Sequence, residues 1–396
     1  MKYIILLADG MADRPVPELG GKTPLQAADT PNMDAVFRKS ECGMVKTLVK
    51  GMPLGSDIGN LSVLGNNPAE HYTGRAPLEA VNMGIDAAPE EVIFRCNLVY
   101  VKNGIMEDYS AGHITDAEAK ELIKLIDKKL GAGKYRFYPG KSYRHIMIMK
   151  GGEKIKAVPP HDISGKKIEE YMPQGAKSEE LADLMKNSLF LLDYHEVNLA
   201  RKSEGKNPGN MIWLWGQGKK SELPKLKEKY GLSGSVISAV DLINGIGLSM
   251  GMNVVKVPGV TGYIDTNYKG KAQAALKALK KDDFVYLHVE AADEMGHRAD
   301  AKGKVLAVEK FDAEITGPVL EGLKKTGEPF RLMVTSDHAT PIEARTHTDE
   351  PVPFFIYDSQ NEKENNISGL SEAAISKESP LMFEKGWELF PYFLGR

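Results

Sequence analysis

Short apolar runs recur along this chain with helical segments between them. "YIILLA" comes first, and "MIWLWG" at 211–216, "NVVKV" at 253–257, "DFVYLHV" at 283–289, "RLMVTS" at 331–336 and "FFIYD" follow. Between them, "PKLKEKYG", "GKAQAALKALKK" and "KVLAVEKFDAEITGPVLEGLKKTG" mix charged and apolar residues at helical spacing. A strand that is apolar on both faces needs cover on both, and alternating helices supply it. The expected fold is therefore α/β, a sheet between two helical layers.

The middle of the chain departs from this pattern. "EVIFRCNLVYVKNGIMEDYS" reads as a hairpin turning at Asn103-Gly104, and "AEAKELIKLIDKKLG" as an amphipathic helix. "YRFYPG" and "SYRHIMIMKGGEKIKAV" read as further strands. This is an α+β insert. Its expected limits are the "GIDAAPEE" joint and the polar "ARKSEGKNPGN" connector, which make 87–205 the insert and leave 1–86 with 206–396 as the larger domain.

Charge and cysteine content narrow the function. The net charge is -3, without the basic excess that binding a phosphate backbone requires, so nucleic acid is not an expected partner. Cys42 and Cys96 stand far apart and in no CxxC spacing, which fits a reducing cytoplasm rather than a disulfide framework. The apolar run of "MKYIILLADG" reaches Asp9 too soon for an export signal, and no stretch approaches the roughly 18 apolar residues of a membrane span.

In open α/β sheets ligands collect at the carboxyl ends of strands. Three such ends carry an aspartate: Asp9 in "LLADG", Asp293 in "HVEAADEMGH" and Asp337 in "VTSDH". His338 adjoins Asp337, His297 follows Asp293 by four residues, which is one face of a helical turn, and His347 lies further on. Singly, each aspartate reads as well as a helix cap or turn former. Together, carboxylate oxygens and imidazole nitrogens suit a divalent transition metal, and a set this large suggests two ions. A nucleophile for such a site lies in "GMPLGSDIGNLSVLG", where Ser56 follows a glycine and opens an apolar-periodic run. Metal coordination is one way to make a serine hydroxyl nucleophilic at neutral pH, although Ser56 or Asp57 would also serve as a plain helix cap.

With these residues assembled, the chain resembles the archaeal-type 2,3-bisphosphoglycerate-independent phosphoglycerate mutases of the alkaline phosphatase superfamily. The resemblance runs end to end through "LLADGMADRP", "GGKTPLQAADTPNMD", "GSDIGNLSVLG", "YTGRAPLEA", "FRCNLV", "DYSAGHIT", "SYRHIMI", "IWLWGQG", "VPGVTGYIDTNY", "ADEMGH", "TSDHATP" and "HTDEPVPF". It implies an alkaline-phosphatase-like three-layer sheet domain with the smaller α+β domain inserted, and two divalent metals in the cleft between them. Manganese is the expected ion, with zinc, cobalt or magnesium as alternatives. One ion would take Asp293, His297 and His347, the other Asp9, Ser56, Asp337 and His338. Asp349 would only support the ligands or a turn. Ser56 would accept the phosphoryl group of 3-phosphoglycerate and return it to the neighbouring hydroxyl, while the insert closes as a lid over the glycerate.

The matching motifs also imply substrate-binding residues: Arg75, Arg95, His113, Arg144, His145 and Lys271, with Asn97 and Asp108 orienting them. Two departures fall near the nucleophile, where "SDIGN" has Gly59 in place of the usual alanine and "LGNNP" has asparagine where tyrosine is common. They bear on substrate rather than on metal. A homoserine-kinase-like phosphotransferase or a small-molecule phosphatase on the same serine is the alternative. A P-loop kinase has no support, because the only "GKS" has Tyr135 where the first glycine must stand.

Overall fold

A computed structural model describes all 396 residues. Strands β1 to β7 cover Lys2–Ala8, Glu41–Val45, Glu91–Lys102, Ile105–Asp108, Tyr135–Lys141, Arg144–Lys150 and Met211–Gly218. Strands β8 to β13 cover Gly234–Ile237, Asn253–Val254, Phe284–Val289, Phe330–Thr335, Val352–Asp358 and Met382–Phe383. The chain forms two compact units, Met1–Tyr72 with Glu222–Arg396, and Thr73–Ser221.

The first unit is built on an eight-stranded sheet in the order β13-β2-β12-β11-β1-β10-β8-β9. Its middle is parallel, with β1 between β10 and β11, whereas β12 runs antiparallel to both β11 and β2. Alternation along the strands sends Ile4, Leu6, Val285, Leu287, Leu332 and Val334 to one face. There the helices Pro31–Phe37, Tyr268–Leu279, Ala301–Phe311 and Gly317–Thr326 contribute Phe37, Ala275, Phe311 and Val319 to a continuous core. Burying each large apolar side chain stabilises by about 1.5–3 kcal/mol. On the other face, Phe284 meets Phe390 of the Leu389–Phe393 helix edge-on, with ring centroids 5.3 Å apart. Gly247 of the Asp241–Ser249 helix packs so near β8 that a Cβ there would lie 2.5 Å from Val236. The expected α/β sheet covered on both faces is what forms.

Individual strands were less legible. "NVVKV" contributes only the two-residue edge strand β9, and β2 and β8 come from "ECGMV" and "GSVI", which carry too few large apolar residues to stand out.

The second unit is a five-stranded antiparallel sheet in which the long β3 pairs with β4, β6 and β7. The β3–β4 turn is the expected Asn103-Gly104 pair, both in the left-handed region at φ 50° and 75°, as a two-residue hairpin turn requires. Thr115 caps the Asp116–Ile126 helix reciprocally with Glu118. That helix and Ser178–Leu192 cover the face bearing Val92, Phe94, Cys96 and Leu98. The limits of this unit correct those expected at 87 and 205. "MIWLWG" reads like a strand of the larger sheet, but β7 pairs with β3. The Arg75–Asn82 helix likewise lays Ala76 and Ala80 on Ile93 and Ile146 of β3 and β6. Both segments need β3 to bury their apolar faces, so they belong with it.

Candidate active site

Because β1 lies between β10 and β11 in parallel register, with Ala8 beside Val289 and Leu7 beside Thr335, all three strands end on one edge. Asp9 and Asp337 follow β1 and β11, and Asp293 lies in the Ala291–His297 helix that follows β10. The three aspartates and His338 are buried.

Asp293 is the hub of one cluster. Its Oδ2 lies 3.2 Å from His297 Nε2 and its Oδ1 lies 3.4 Å from His347 Nε2. Each imidazole uses Nδ1 on a backbone carbonyl, His297 on Arg345 and His347 on Leu54, both at 3.0 Å. A carbonyl oxygen only accepts, so both Nδ1 atoms carry hydrogen and the Nε2 lone pairs turn inward, 3.1 Å apart. Two lone pairs that close need a cation or a proton between them. Burial opposes charging these rings, but the Asp293 carboxylate prevails, holding His297 near 9 and raising His347. In return, although burial alone would raise the Asp293 carboxyl, the two imidazoles hold it well below the usual range.

The second cluster surrounds His338 Nε2. Ser56 Oγ lies 3.1 Å from it, Asp337 Oδ2 3.4 Å and Asp9 Oδ1 3.5 Å. Ser56 opens the Ser56–Val63 helix, which is pressed against the end of β11: a Cβ on Gly59 would stand 2.4 Å from the Asp337 carbonyl oxygen. Asn60 of the same helix donates to Asp337 Oδ2 at 2.7 Å and to the Ser56 carbonyl at 2.8 Å, and itself accepts from Tyr286. Burial, compounded by the neighbouring carboxylates, pushes Asp9 well above the carboxylate range, and burial raises Asp337 to about 7. Asp9 Oδ1 is fully buried without a hydrogen-bond partner. A bound cation would satisfy such a set, and the mixed oxygen and nitrogen donors fit a divalent transition metal. Three overlapping groups of side chains bring their donor atoms within 4.8 Å of one another: Asp293, His297 and His347; Asp9, Asp293 and His338; and Asp9, His288 and Asp337.

His288 is the member that sequence reasoning missed. Its Nε2 lies 2.9 Å from Asp9 Oδ2, and its Nδ1 3.2 Å from the Ser238 hydroxyl. Burial lowers its pKa to about 3, with help from Lys271. A histidine inside the otherwise apolar "FVYLHV" was the available signal. Lys271, expected to bind substrate, is fully buried and donates to the His288 carbonyl at 2.9 Å, which accounts for its ammonium within the core. Asp349 is exposed.

The other expected substrate residues lie in the second unit. On β3, Arg95 and Asn97 share the face opposite Phe94 and Cys96. Arg95 donates to Glu79 Oε1 at 3.1 Å and stacks over Trp215 at 4.6 Å, while Arg75 donates to the same oxygen at 2.9 Å. Burial works to raise Glu79, but Arg95 and Arg75 keep it ionised, and burial brings Arg95 down to about 10. Asn97 accepts from the Trp215 indole at 3.1 Å. Arg144 is exposed beside Tyr143, whose ring lies 6.2 Å from that of His113. His145 accepts at Nδ1 from the Gly140 N–H, and burial keeps it neutral, at about 3. Asp108 accepts from Ser110, Gly112 and Asn207, and so shapes the loop leading to His113.

Comparison with known proteins identifies the family. The family model described as 2,3-bisphosphoglycerate-independent phosphoglycerate mutase matches residues 38–198. A protein of that name from Methanosarcina barkeri is 49% identical over 96% of this chain and 96% of its own length. This chain belongs to that family. A Geobacter sulfurreducens protein named as a probable member is 48% identical, with both chains covered completely. Among solved structures, a Pyrococcus horikoshii protein superposes with a TM-score of 0.82 at 27% identity, covering all of this chain and 96% of that one. A cofactor-independent phosphoglycerate mutase from Thermoplasma acidophilum shares the fold, with a TM-score of 0.66 at 24% identity over all of this chain and 99% of its own.

Against this mutase background, Gly59 gains a physical reason. In this chain the approach of the Ser56–Val63 helix to Asp337 leaves no room for a β-carbon.

Proposed function

We propose that this chain interconverts 3-phosphoglycerate and 2-phosphoglycerate without 2,3-bisphosphoglycerate, through a phosphoserine on Ser56. The observation that carries this reading is the Ser56 hydroxyl at the start of a helix, 3.1 Å from His338 Nε2 and beside a buried carboxylate cluster. Backbone N–H groups at a helix start favour a phosphoryl group there.

Ser56 Oγ attacks phosphorus and the bond from phosphorus to the C3 oxygen breaks, leaving glycerate and a phosphorylated serine. The 2-hydroxyl of glycerate then attacks the same phosphorus and Ser56 is released. The proton lost by Ser56 is balanced by the one gained at the C3 oxygen, and the second step returns it in the opposite sense. Neither a water oxygen nor an external phosphate donor enters. Asp293, His297 and His347 would hold one divalent ion, and Asp9, Ser56, Asp337 and His338 the other, with manganese the expected metal. Bound there, such ions supply charge stabilisation in an in-line displacement and lower the proton affinity of a coordinated hydroxyl.

The remaining roles follow from charge. Arg75, Arg95 and Arg144 offer planar donors to the phosphate and carboxylate of the substrate, and His113, His145, Asn97 and Asp108 orient them. The second unit acts as the substrate domain and as a lid that retains glycerate. Two buried free thiols, Cys42 and Cys96, suit a cytoplasmic enzyme of glycolysis and gluconeogenesis, and no helix is long and apolar enough to cross a membrane.

A proton NMR time course of manganese-loaded protein with 3-phosphoglycerate, without added bisphosphoglycerate, tests the reading. Appearance of 2-phosphoglycerate is expected. Release of inorganic phosphate with no isomerisation would make the enzyme a phosphatase instead.

A further inference from the structure

Thr340 lies two residues beyond His338 and is fully buried. Its Oγ1 is 2.5 Å from Asp293 Oδ1 and 3.2 Å from His338 Nδ1. One hydroxyl thus touches a member of each of the two proposed ligand sets.

A hydroxyl has a single proton, and an ionised carboxylate can only accept. The proton of Thr340 is therefore committed to Asp293. Its oxygen must accept in the contact with His338, so His338 Nδ1 carries hydrogen and the lone pair is on Nε2. That nitrogen faces Ser56 Oγ, Asp337 Oδ2 and Asp9 Oδ1 at 3.1, 3.4 and 3.5 Å. With the hydroxyl proton turned to His338 instead, Nε2 would be a donor to those carboxylates and unable to bind a metal.

The backbone leaves Thr340 little freedom to choose otherwise. Its N–H donates to the Ala12 carbonyl at 3.2 Å, and its carbonyl accepts from the Lys304 ammonium at 2.8 Å. A β-carbon on Gly296 would stand 2.5 Å from that carbonyl oxygen, so the Asp293-bearing helix is packed directly against it.

We propose that the Thr340 hydroxyl is a positioning group that holds His338 in its Nδ1–H tautomer and links the two metal centres. This rests on the two-metal reading above. Groups that orient metal ligands in this way are worth about 10- to 100-fold in metal affinity.

The test uses the full chain, in Thr340→Val and Thr340→Ser forms beside the unaltered protein. Manganese is titrated calorimetrically into each metal-free protein, and long-range proton–nitrogen NMR on histidine-labelled samples reads the His338 tautomer. The unaltered protein should show the Nδ1–H form. Valine, which keeps the shape, should weaken binding of both ions about 10- to 100-fold and lose the tautomer preference. Serine, which keeps the hydroxyl and loses a methyl group, should retain both. An Nε2–H tautomer in the unaltered protein overturns the proposal, as do wild-type affinities in the valine form or a serine form as impaired as valine. If valine prevents folding, the tautomer of the unaltered protein and the serine titration still decide. If the unaltered protein binds no ion, the metal reading fails, and the tautomer measurement alone accepts or rejects the role of Thr340.

Discussion

Ser56 Oγ lies 3.1 Å from His338 Nε2, although 282 positions separate the two residues. In the proposed reaction this hydroxyl is the phosphoryl acceptor. Ser56→Ala should lower turnover on the order of 10⁶-fold and abolish phosphoenzyme, with the melting temperature nearly unchanged. Phosphorus NMR of protein quenched during turnover checks this. Appreciable mutase activity in the variant would exclude the covalent route.

His347 reaches Asp293 from the loop before β12, and His297 from within the same helix as Asp293. Replacing either with alanine should remove one of two bound ions and leave the other. Elemental analysis of dialysed protein, loaded first with manganese, reads the stoichiometry. Two ions retained at full activity would reject the assignment.

Metal affinity and the stability of the metal-free protein should respond to pH in opposite directions. His297 is raised to about 9 and Asp337 to about 7, so both bind protons in the folded state at pH values where the unfolded chain does not. The stabilisation from His297 is fully present below about 6.5 and is lost as pH rises through about 9. Ionising Asp337 weakens the metal-free fold in the same direction, between about 4 and 7. Metal must displace these protons, so its affinity rises over the same range. Thermal unfolding with and without manganese, from pH 6 to pH 9, should show the two curves diverge. Parallel curves would contradict the coupling.

Lys304 is a fully buried cation between the loop that follows Asp9 and the loop that follows His338. Its ammonium donates to Asp13 at 2.7 Å, to the Thr340 carbonyl at 2.8 Å and to the Ala12 carbonyl at 3.3 Å. Lys304→Met leaves the Asp13 carboxylate buried without its partner and should cost about 3–5 kcal/mol. Urea unfolding measures it, and a loss below about 1 kcal/mol would show that the loops are held by other contacts.

Gly59→Ala adds a methyl group 2.4 Å from a backbone oxygen that has no rotamer to change. The strain should be about 1–3 kcal/mol and should move Asp337 away from Ser56, reducing turnover more than stability alone explains. Kinetics of the variant at a temperature where it is fully folded separate the two effects. Unimpaired turnover there would mean that the helix shifts freely.

Much of the carboxylate and histidine cluster was legible in the chain. Aspartates just past strand-like runs, and a histidine one helical turn beyond Asp293, carry their placement in local spacing. His288 was less so, because a buried histidine in a strand looks like any core residue until Asp9 is found 2.9 Å away, just past the end of the neighbouring strand. Lys271 shows the converse: the matching motif implied a substrate contact, and only packing reveals that its ammonium donates to the His288 carbonyl. The limits of the second unit were misplaced for a similar reason. β7 has the composition of a buried parallel strand, and nothing in its own residues records that its partner is β3.

Period and composition act over a few residues, so the sequence by itself determined the strands and helices with strong patterns, the hairpin at Asn103-Gly104 and the residue types available for chemistry. Pairing order acts over hundreds of residues. Only the tertiary structure decided that β1 lies between β10 and β11, that Gly59 admits the serine helix to the end of β11, and that the Thr340 hydroxyl spans Asp293 and His338. Those contacts depend on which distant segments the sheet order brings together, and apart from Thr340 with His338 no local window of sequence contains both partners.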